Sequence, residues 1–313
     1  MQKGTFRKAA HYLRVDPQFL FRTCLVKFMR LPLIRRVVPA RFFAGFEYRL
    51  EMGKKLDLKN PHTLSEKVQW LKLYDRNPIY VRLMDKYEVR QYIRSAVGEQ
   101  YLIPLIGLYN SVDEIPFNEL PAQYVIKCTH DSGSVIFKNA ANKISAQEIK
   151  THLAKALKEN YYYQHREWGY KHIRPRIICE HLIHTLDNNQ PRDYKYFCFD
   201  GEPKFLVVVT DRATGAMMNF YDPDWNILPV RQHYPPINYL LDRPGKFGEM
   251  IAIARKLSQG FKHMRVDMYL DAEENIFVGE LTFYHFAGIV KFEPEEYDEY
   301  FGRFLNLPIQ VQR

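Results

Sequence analysis

The stretch of sequence that decides the fold is Met264–Tyr284, MRVDMYLDAEENIFVGELTFY. In it, two runs of alternating side chains flank the short polar segment Ala272–Asn275. Alternation with a period of two is typical of half-buried β-strands, and a polar segment between two such runs favours a turn. The stretch therefore predicts a β-hairpin. Its apolar face, which suits a core, consists of Val266, Met268, Phe277, Leu281 and Phe283.

The register of this hairpin brings four polar residues together. With the turn centred on the polar segment, Asp267 lies opposite Glu280 and Arg265 lies opposite Thr282, all on the face away from the apolar one. Opposed side chains have Cβ atoms about 5 Å apart, where like charges repel, so the two carboxylates need a cation between them. Arg265 is one such cation, and Mg²⁺ suits carboxylate oxygens better. The alternative is a solvated strand face with two unrelated acids.

Composition excludes several classes of protein. The 313 residues are 46% hydrophobic and 15% aromatic, which indicates a folded chain with a sizeable core and not a mainly disordered one. No apolar run approaches the roughly 18–20 residues of a membrane-spanning helix, and no signal peptide is visible. The cysteines form no CxxC pair, so we expect reduced, buried thiols in a cytoplasmic protein. They are Cys24, Cys128, Cys179 and Cys198.

The net charge of +9 is carried by one segment of the chain. Residues 1–50 hold eleven Lys and Arg residues and two acidic ones, so residues 51–313 are neutral overall. This distribution argues against nucleic-acid binding by the whole surface. Apolar residues in 1–50 follow helical spacing, and Pro17 opens a second helix. Two interpretations stay open: contact with an anionic membrane surface, or a helical extension packed on the body of the protein.

The rest of the chain predicts a mixed α+β fold with mostly antiparallel strands. A helix is expected after Thr63, which forms a capping box with Glu66. Further helices are expected at Tyr80–Ser95, Ser145–Asn160, Gly245–Gln259 and Pro294–Leu305. Strands are expected at Tyr101–Leu108, Tyr124–Cys128, Val135–Lys138, Arg176–Ile183, Tyr194–Asp200 and Lys204–Thr210, with a tight turn at Asp200-Gly201. The aromatic and basic stretch 161–175 predicts either a mobile flap in contact with an acceptor substrate or an ordinary surface loop.

Three further segments carry residues suited to phosphate chemistry. A strand that ends near Lys127 is followed by the loop His130-Asp-Ser-Gly-Ser134, whose backbone N–H groups could hold phosphate oxygens, although a plain turn is the alternative. Glu180 interrupts an apolar β-run that could lead into a hinge whose backbone meets an adenine ring, although an ordinary buried strand is the alternative. Asp193 and Lys195 begin the next strand on one face, where a surface ion pair is the alternative.

The motifs of several other enzyme classes are missing. The chain has no Walker A loop, GxSxG, GxGxxG or HExxH. Asp222-Pro-Asp224 matches the DxD of metal-dependent glycosyltransferases superficially, but Asp-Pro-Asp is also a common turn.

The order of these motifs resembles the ATP-grasp superfamily, which includes the D-alanine–D-alanine ligases. A helix lysine, a strand lysine with a Ser/Gly loop, an acid before a hinge and an Arg-Val-Asp hairpin follow one another. NPHTLSEKVQWLKLYDRNP, VIKCTHDSGS, RDYKYFCFDGEPK and RVDMYL…FVGELTF are similar to the TupA-like ATP-grasp family. The resemblance covers roughly residues 55–305, and those proteins are encoded among genes for bacterial cell-surface polysaccharides.

The resemblance implies an ATP-grasp fold of the α+β class. In that fold two α+β lobes with mostly antiparallel sheets grip the nucleotide. The implied parts are a basic helical extension at 1–58, a helical linker part at 59–120, a small lobe with the phosphate loop at 121–185 and a large lobe with the metal-binding hairpin at 186–313.

The resemblance also implies a role for each candidate residue, with ATP and Mg²⁺ as cofactors. The residues implied to contact ATP are Lys86, Lys127, His130, Ser132, Gly133, Ser134, Glu180 and Leu182, the last two framing the adenine. Asp267, Glu280 and Thr282 would hold Mg²⁺. Arg265 would steady an oxyanion, and Lys195 would reach the γ-phosphate. Thr282 stands where the family usually has Asn, and its hydroxyl is a poorer oxygen donor.

The implied activity is that of an ATP-dependent carboxylate–amine ligase that acts through an acyl phosphate. It would join an amino acid or another amine to a sugar acid of a surface polysaccharide, in the cytoplasm or on the inner face of the membrane. The alternatives are a glycosyltransferase that uses Asp222 and Asp224, a sugar kinase, and a non-catalytic binding protein. The sequence specifies neither the two substrates nor the oligomeric state.

Overall fold

The structure is a computed structural model that describes residues 17–140, 142–185 and 190–308. The described helices are α1 (Pro17–Met29), α2 (Ile34–Val37), α3 (Ala40–Met52), α4 (Leu64–Tyr74), α5 (Ile79–Met84), α6 (Val89–Ala96), α7 (Ala146–Leu157), α8 (Tyr162–His165), α9 (Phe247–Ser258) and α10 (Glu296–Gly302). Short 3₁₀ turns lie at Glu99–Tyr101, Val112–Glu114, Trp168–His172 and His285–Gly288. The first part of the amphipathic segment predicted for 1–50 lies outside the described residues.

The strands form two antiparallel sheets, as the mixed pattern predicts. They are β1 (Leu105–Tyr109), β2 (Tyr124–Cys128), β3 (Ile136–Lys138), β4 (Ile177–His181), β5 (Asp193–Phe199), β6 (Glu202–Thr210), β7 (Met217–Tyr221), β8 (Ile227–Leu228), β9 (His263–Leu270) and β10 (Ile276–Thr282). The sequence patterns predict all of these strands except β7 and β8.

The smaller sheet has the strand order β1-β4-β2-β3. Helix α7 packs on it through Ile149 and Leu153, which are fully buried together with Ile126 of β2. The start of α7 is fixed by a capping box between Ser145 and Glu148. The resulting hydrophobic cluster is separate from the main core of the protein.

The larger sheet has the strand order β10-β9-β5-β6-β7-β8. Every residue of its central strand β5 is buried, because α9 covers one face and a group of stacked aromatic rings fills the other. In that group the rings of Phe197 and Phe301 lie on either side of Phe205, with centroids 4.3 and 4.0 Å away. The β5–β6 turn at Asp200-Gly201 has positive φ at both residues, as predicted for a two-residue hairpin.

The β9–β10 hairpin has the predicted register at its polar face. Asp267 pairs with Glu280, and Arg265 pairs with Thr282. Gly279 makes close contact with Tyr269 of β9, since a Cβ at position 279 would lie 2.2 Å from the ring. The polar face is therefore built as the alternation predicts.

Nearer the turn the register differs from the predicted one by a residue. The pairing shifts between Val278 and Glu280, so that Gly279 forms a bulge. Val278, which pairs with Met268, is buried in the core, whereas Phe277 is only half-buried. The prediction that Phe277 belongs to the core face is therefore wrong, because a bulge changes which face a side chain points to.

The helix predicted over Tyr80–Ser95 is two helices, α5 and α6. The chain leaves the helical conformation at Asp85, whose φ and ψ are extended. Its carboxylate Oδ1 accepts hydrogen bonds from the backbone N–H groups of Tyr87 and Glu88 at 2.8 and 3.1 Å. A short acidic side chain competes in this way with the helical hydrogen bonds, and Lys86 therefore lies in the break and not on a helix.

The N-terminal helices α1 and α3 pack on each other and on the body of the protein. Phe43 of α3 is buried against Val26 and Met29 of α1. Glu47 of α3 contacts His165 of α8 at 3.1 Å. Arg35 of α2 contacts Glu159 at 2.8 Å. One face of this segment is thus packed as an extension of the body.

The opposite side of the same segment exposes large apolar side chains, which we call the N-terminal surface. Its apolar members are Phe21, Phe28, Leu31, Leu33, Val37 and Phe42, and its exposed basic members are Lys27, Arg36 and Arg41. No acidic residue occurs between positions 17 and 46. In the described ranges, no helix has both the length and the apolar character needed to cross a bilayer.

The cysteines only partly follow the prediction. Cys128, Cys179 and Cys198 are buried free thiols, and burial raises the pKa of each to about 12. Cys24 is exposed on α1. Its predicted burial is wrong because α1 is packed on one side only.

Candidate active site

A cavity of about 860 Å³ lies between the two sheets. Its size falls in the usual range for small-molecule sites. The walls come from β2, β3 and β4 on one side and from β5, β9 and β10 on the other. Of the thirteen candidate residues, eleven line the cavity, namely Lys86, Lys127, Ser132, Gly133, Glu180, Leu182, Lys195, Arg265, Asp267, Glu280 and Thr282.

The remaining two candidates, His130 and Ser134, are buried at the two ends of the loop and do not line the cavity. The Nε2 atom of His130 lies 3.0 Å from the carbonyl oxygen of Glu159. The Ser134 hydroxyl donates to Asp131 Oδ1 at 2.6 Å and accepts from the N–H of Cys128 at 2.8 Å. These contacts hold the two ends of the loop in place.

The Ser/Gly loop between β2 and β3 presents Ser132 and Gly133 to the cavity. Gly133 has φ +120°, a conformation that side chains with a Cβ rarely adopt. The Lys86 ammonium donates to the carbonyl oxygen of Asp131, so the break between α5 and α6 is fastened to this loop. Ser132 is also a neighbour of the Tyr161 hydroxyl: burial raises the pKa of that hydroxyl, and Ser132 lowers it against this larger effect.

Glu180 of β4 holds two cations at the cavity wall. Its Oε2 lies 2.7 Å from Lys127 Nζ, and its Oε1 lies 3.0 Å from Arg90 Nη1. Arg90 also donates to the carbonyl oxygen of Ile103 at 2.9 Å. Glu180 therefore orients Lys127 toward the cavity, while Leu182 follows at the end of the strand.

The centre of the opposite wall is the Asp267 carboxylate, which is almost completely buried. Arg265 grips it with two parallel bonds of 2.6 and 2.7 Å, and Lys195 Nζ lies 2.5 Å from Oδ2. Burial raises the pKa of Asp267, but the charges of Arg265 and Lys195 outweigh burial and hold that pKa below its usual value. Asp267 is therefore ionised. Lys195 also contacts Asp193 at 3.1 Å, and Arg212 binds the other oxygen of Asp193.

The protonation of His285 follows from its neighbours. Burial, assisted by the nearby charges of Arg265 and Lys195, lowers the pKa of His285 well below its ordinary value, so the ring is neutral. Arg265 can only donate, so Nδ1 at 2.9 Å accepts from it, and Nε2 carries the proton that it donates to Gln232 Oε1 at 2.8 Å. Arg265 also donates to Thr282 at 3.1 Å. Four of its five N–H groups are thus used, and one on Nη1 is left.

Glu280 differs from Asp267, although the two are paired across the hairpin. It is half-buried and has no hydrogen bond or ion pair within the described ranges. Those ranges hold no cluster of three or more His, Cys, Asp and Glu side chains that suits a metal ion. Mg²⁺ at nucleotide sites is often held by one or two carboxylates together with phosphate oxygens, and Asp267 with Glu280 fits that pattern. The Thr282 hydroxyl already accepts a hydrogen bond from Arg265.

The chain leaves β10 in a strained loop that lines the cavity. Phe286, Ala287 and Gly288 have successive φ values of +44°, +53° and +67°, and such values in residues with a Cβ concentrate at functional sites. Helix α4 holds the loop in place. Lys72 donates to the carbonyl oxygen of Ala287 at 2.9 Å, and Gln69 donates to those of Ala287 and Gly288 at 2.9 and 3.1 Å.

Sequence reasoning missed several polar residues of the site: Arg90, Arg212, Lys72, Gln69 and Glu167. Arg90 and Lys72 are charged residues of α6 and α4 that no local pattern separates from solvated ones. Glu167 lies in the aromatic stretch 161–175, which does contribute Tyr161 and Tyr170 to the cavity wall. The stretch forms α8 and a 3₁₀ turn, with Tyr170 buried.

One comparison assigns the family of this protein. The model of the TupA-like ATP-grasp family matches residues 66–306, which is most of the chain. The chain therefore belongs to the TupA-like ATP-grasp family, which confirms the resemblance found in the sequence and the predicted fold class. A search of the curated proteins found none that matches.

Several solved structures are similar to this chain. The ATP-grasp ligase PsnB, complexed with a precursor variant, Mg and ADP, is 12% identical over 69% of this chain and 58% of its own, with a TM-score of 0.39. D-alanine–D-alanine ligase from Bacillus anthracis, complexed with ATP, is 16% identical over 64% and 55%, with a TM-score of 0.37. N5-carboxyaminoimidazole synthetase from Staphylococcus aureus is 13% identical over 64% and 44%, with a TM-score of 0.37. This chain thus spans less than two thirds of each.

Proposed function

We propose that this protein is an ATP-dependent carboxylate–amine ligase. One observation carries the proposal within the family. The buried Asp267–Arg265–Lys195 group and the unpartnered Glu280 face the Ser/Gly loop and Lys127 across a single cavity. Such an arrangement suits a nucleotide whose phosphates lie between the two sheets, with Asp267 and Glu280 as the residues that would hold Mg²⁺. When bound, the ion would neutralise part of the phosphate charge.

In the proposed reaction a substrate carboxylate attacks the γ-phosphorus of ATP to give an acyl phosphate and ADP. An amine then attacks the acyl carbon, phosphate leaves, and the nitrogen releases a proton to give the amide. Both steps concentrate negative charge, which fixed cations stabilise without reorganising. Lys127 and Lys86 would hold the phosphates, and Lys195 would reach the transferred phosphoryl group. The remaining N–H of Arg265 Nη1 would donate to the oxyanion of the second step.

For the substrates we propose a sugar acid and an amine of bacterial surface polysaccharide synthesis. The support is the similarity to TupA-like proteins, which are encoded among genes for such polysaccharides. The glycosyltransferase alternative gains no support from the geometry. Both carboxylate oxygens of Asp222 accept hydrogen bonds inside a turn, from the N–H groups of Asp224 and Asn226 and from the Asn226 side chain.

A thermal-shift panel followed by a phosphate-release assay tests this function. We expect ATP with Mg²⁺ to raise the melting temperature, and UDP-sugars with Mn²⁺ to leave it unchanged. Phosphate release should then require both an acid and an amine, because a ligase needs both, whereas a kinase would form ADP with a hydroxyl acceptor alone. Stabilisation by a UDP-sugar and not by ATP would contradict the proposal, as would turnover without any carboxylate.

We further propose that the N-terminal surface contacts an anionic membrane on its cytoplasmic side. Exposed apolar side chains next to basic ones, with no acidic residue from 17 to 46, complement anionic lipid headgroups. Leu33 and Val37, 82% and 74% exposed, would insert at the headgroup level. Arg36 and Arg41 would contact the lipid phosphates.

Vesicle sedimentation tests this contact. We expect the protein to pellet with vesicles of phosphatidylcholine containing about 30% phosphatidylglycerol, and to pellet less as salt screens the charges. The double variant Leu33→Ser/Val37→Ser should lose this binding. The matched control is Leu240→Ser/Ile227→Ser, which removes two exposed side chains from another part of the surface. Equal binding to neutral vesicles, or binding that the first variant retains, would rule the contact out.

A further inference from the structure

One buried carboxylate in the cavity lacks a partner. Glu167 lines the cavity, is 7% exposed, and makes no side-chain hydrogen bond or ion pair with any residue that the structure describes. Buried carboxylates in folded proteins are normally paired, because an unpaired buried charge is costly. A buried, unpaired carboxylate in a cavity therefore suits a ligand with a positive charge.

The other buried carboxylates of the cavity show the contrast. Glu180 contacts two cations, Asp193 contacts Lys195 and Arg212, and Asp267 contacts Arg265 and Lys195. Each of these is satisfied by the protein itself. Of the buried acids on the cavity wall in the described ranges, Glu167 is the one without such a contact.

The nearest protein cation does not fill this role. Lys72 lies close enough to Glu167 for an electrostatic interaction, but it makes no ion pair with it, and its ammonium donates to the carbonyl oxygen of Ala287. Burial lowers the pKa of Lys72. Burial raises the pKa of Glu167 to about 8, with Glu280 and Glu47 acting in the same direction. Within the described residues, therefore, no cationic side chain forms an ion pair with the Glu167 carboxylate.

The surroundings of Glu167 favour an organic cation. Tyr161, Tyr170 and Tyr284 line the same cavity, and aromatic faces attract ammonium groups. Glu51 lines the cavity as well and is exposed, so a second acid lies on a path to solvent. Glu167 also interacts electrostatically with Arg265 and Glu280, which places it near the centre proposed for the reaction.

We propose that Glu167, assisted by Glu51, forms the subsite that binds the ammonium group of the amine substrate. The substrate class is a primary amine that is cationic at neutral pH and has no carboxylate beside its nitrogen, because Glu51 and Glu280 would repel a second anion. The inference rests on the proposed ligase function and narrows its amine. Glu167 is a binding residue that holds the nitrogen beside the acyl group.

Titration with ethylamine hydrochloride tests the subsite by thermal shift and calorimetry, with and without the ATP analogue AMPPNP and Mg²⁺. Potassium chloride at equal ionic strength and ethanol are the ligand controls. We expect ethylammonium to bind and to stabilise the native protein, and Glu167→Gln to weaken its Kd tenfold or more. Glycine should bind more weakly than ethylammonium because of its carboxylate. Glu296→Gln, which removes an exposed acid outside the cavity, is the matched control and should leave the Kd unchanged.

Each result decides between the inference and the function on which it rests. If AMPPNP with Mg²⁺ binds but ethylammonium does not, or if it binds Glu167→Gln equally well, the subsite is wrong while the ligase proposal stands. If AMPPNP fails to bind, the ligase proposal fails whatever the amine does. Glu167→Gln should fold, since no side-chain contact is lost. Glu51→Gln, at an exposed position, provides a second variant with a smaller expected loss.

Discussion

At the scale of single residues, two carboxylates paired across one hairpin have different surroundings. Asp267 is buried between Arg265 and Lys195 and satisfies both. Glu280 has no partner in the described protein and is half-buried. The first carboxylate therefore contributes to the fold as well as to the site, and the second only to the site. Substitutions at the two positions separate stability from ligand binding.

We expect Asp267→Asn to lower the free energy of unfolding by about 3 kcal/mol, because it leaves two buried cations short of their counter-charge. Glu280→Gln should change that free energy by less than about 0.5 kcal/mol, since no contact is lost. Both variants should lose the stabilisation by ATP and Mg²⁺. Urea unfolding with and without the nucleotide measures each effect. Equal stabilities of the two variants would show that the Asp267 ion pairs do not form.

The titration of Glu167 gives a second expectation at this scale. Its pKa is raised to about 8 by burial, with Glu280 and Glu47 acting in the same direction and Lys72 and Arg265 against it. The native carboxyl then keeps a proton that an unfolded glutamate, near 4.5, has lost. Unfolding free energy should therefore fall as pH rises from about 4.5 to 8, by about 1 kcal/mol per unit.

Glu167→Gln should remove this contribution, so its unfolding free energy should fall less steeply between pH 5 and 8 than that of the unsubstituted protein. Urea titrations at each pH unit measure the difference. A slope that the substitution leaves unchanged would mean that Glu167 is ionised in the native protein.

At the scale of elements, the sequence predicts the hairpin and its polar face because alternation reports which side chains share a face. The bulge at Gly279 escaped prediction because it depends on the Tyr269 ring, a neighbour on another strand. The break at Asp85 escaped because apolar spacing continues through it while a side-chain cap ends the helix locally. Local patterns therefore give the elements, and tertiary contacts adjust their ends.

The loop after β10 gives a prediction for a single glycine. Gly288 has φ +67°, and a Cβ there would lie 2.8 Å from the backbone oxygen of Ser65. We expect Gly288→Ala to cost about 2 kcal/mol or more, from backbone strain and overpacking together. Gly248→Ala is the control, because it lies in α9 with open space around it and should be neutral or stabilising by up to about 1 kcal/mol. Chemical denaturation of both variants measures the difference, and equal stabilities would contradict it.

At the scale of the whole molecule, the sequence predicts the order of the motifs. It also predicts thirteen candidate residues, of which eleven line one cavity. It does not predict that Arg90 completes the Glu180 pair or that Glu167 reaches the cavity. Those residues lie far along the chain from their neighbours in the site, and only the packing of helices onto sheets joins them. The charge distribution is likewise visible in the sequence, whereas the side of the N-terminal helices that stays exposed is not.

Packing at this scale also determines thiol reactivity. Cys24 is exposed, while Cys128, Cys179 and Cys198 are buried with pKa values raised to about 12. Because the thiolate is the reactive species, we expect one thiol to react with Ellman's reagent in the native protein and four in guanidinium chloride. Cys24→Ser should abolish the native reaction. Two or more reactive thiols in the native protein would show that the sheets open to solvent.

The separate hydrophobic clusters of the two sheets have a mechanical consequence. They share no residue, so the small sheet can rotate against the large one without exposing either hydrophobic cluster to water. A polyphosphate bound in the cavity would then contact both sheets and hold them closer together. X-ray scattering should accordingly show a smaller radius of gyration when an ATP analogue and Mg²⁺ are added, with no change in helical content.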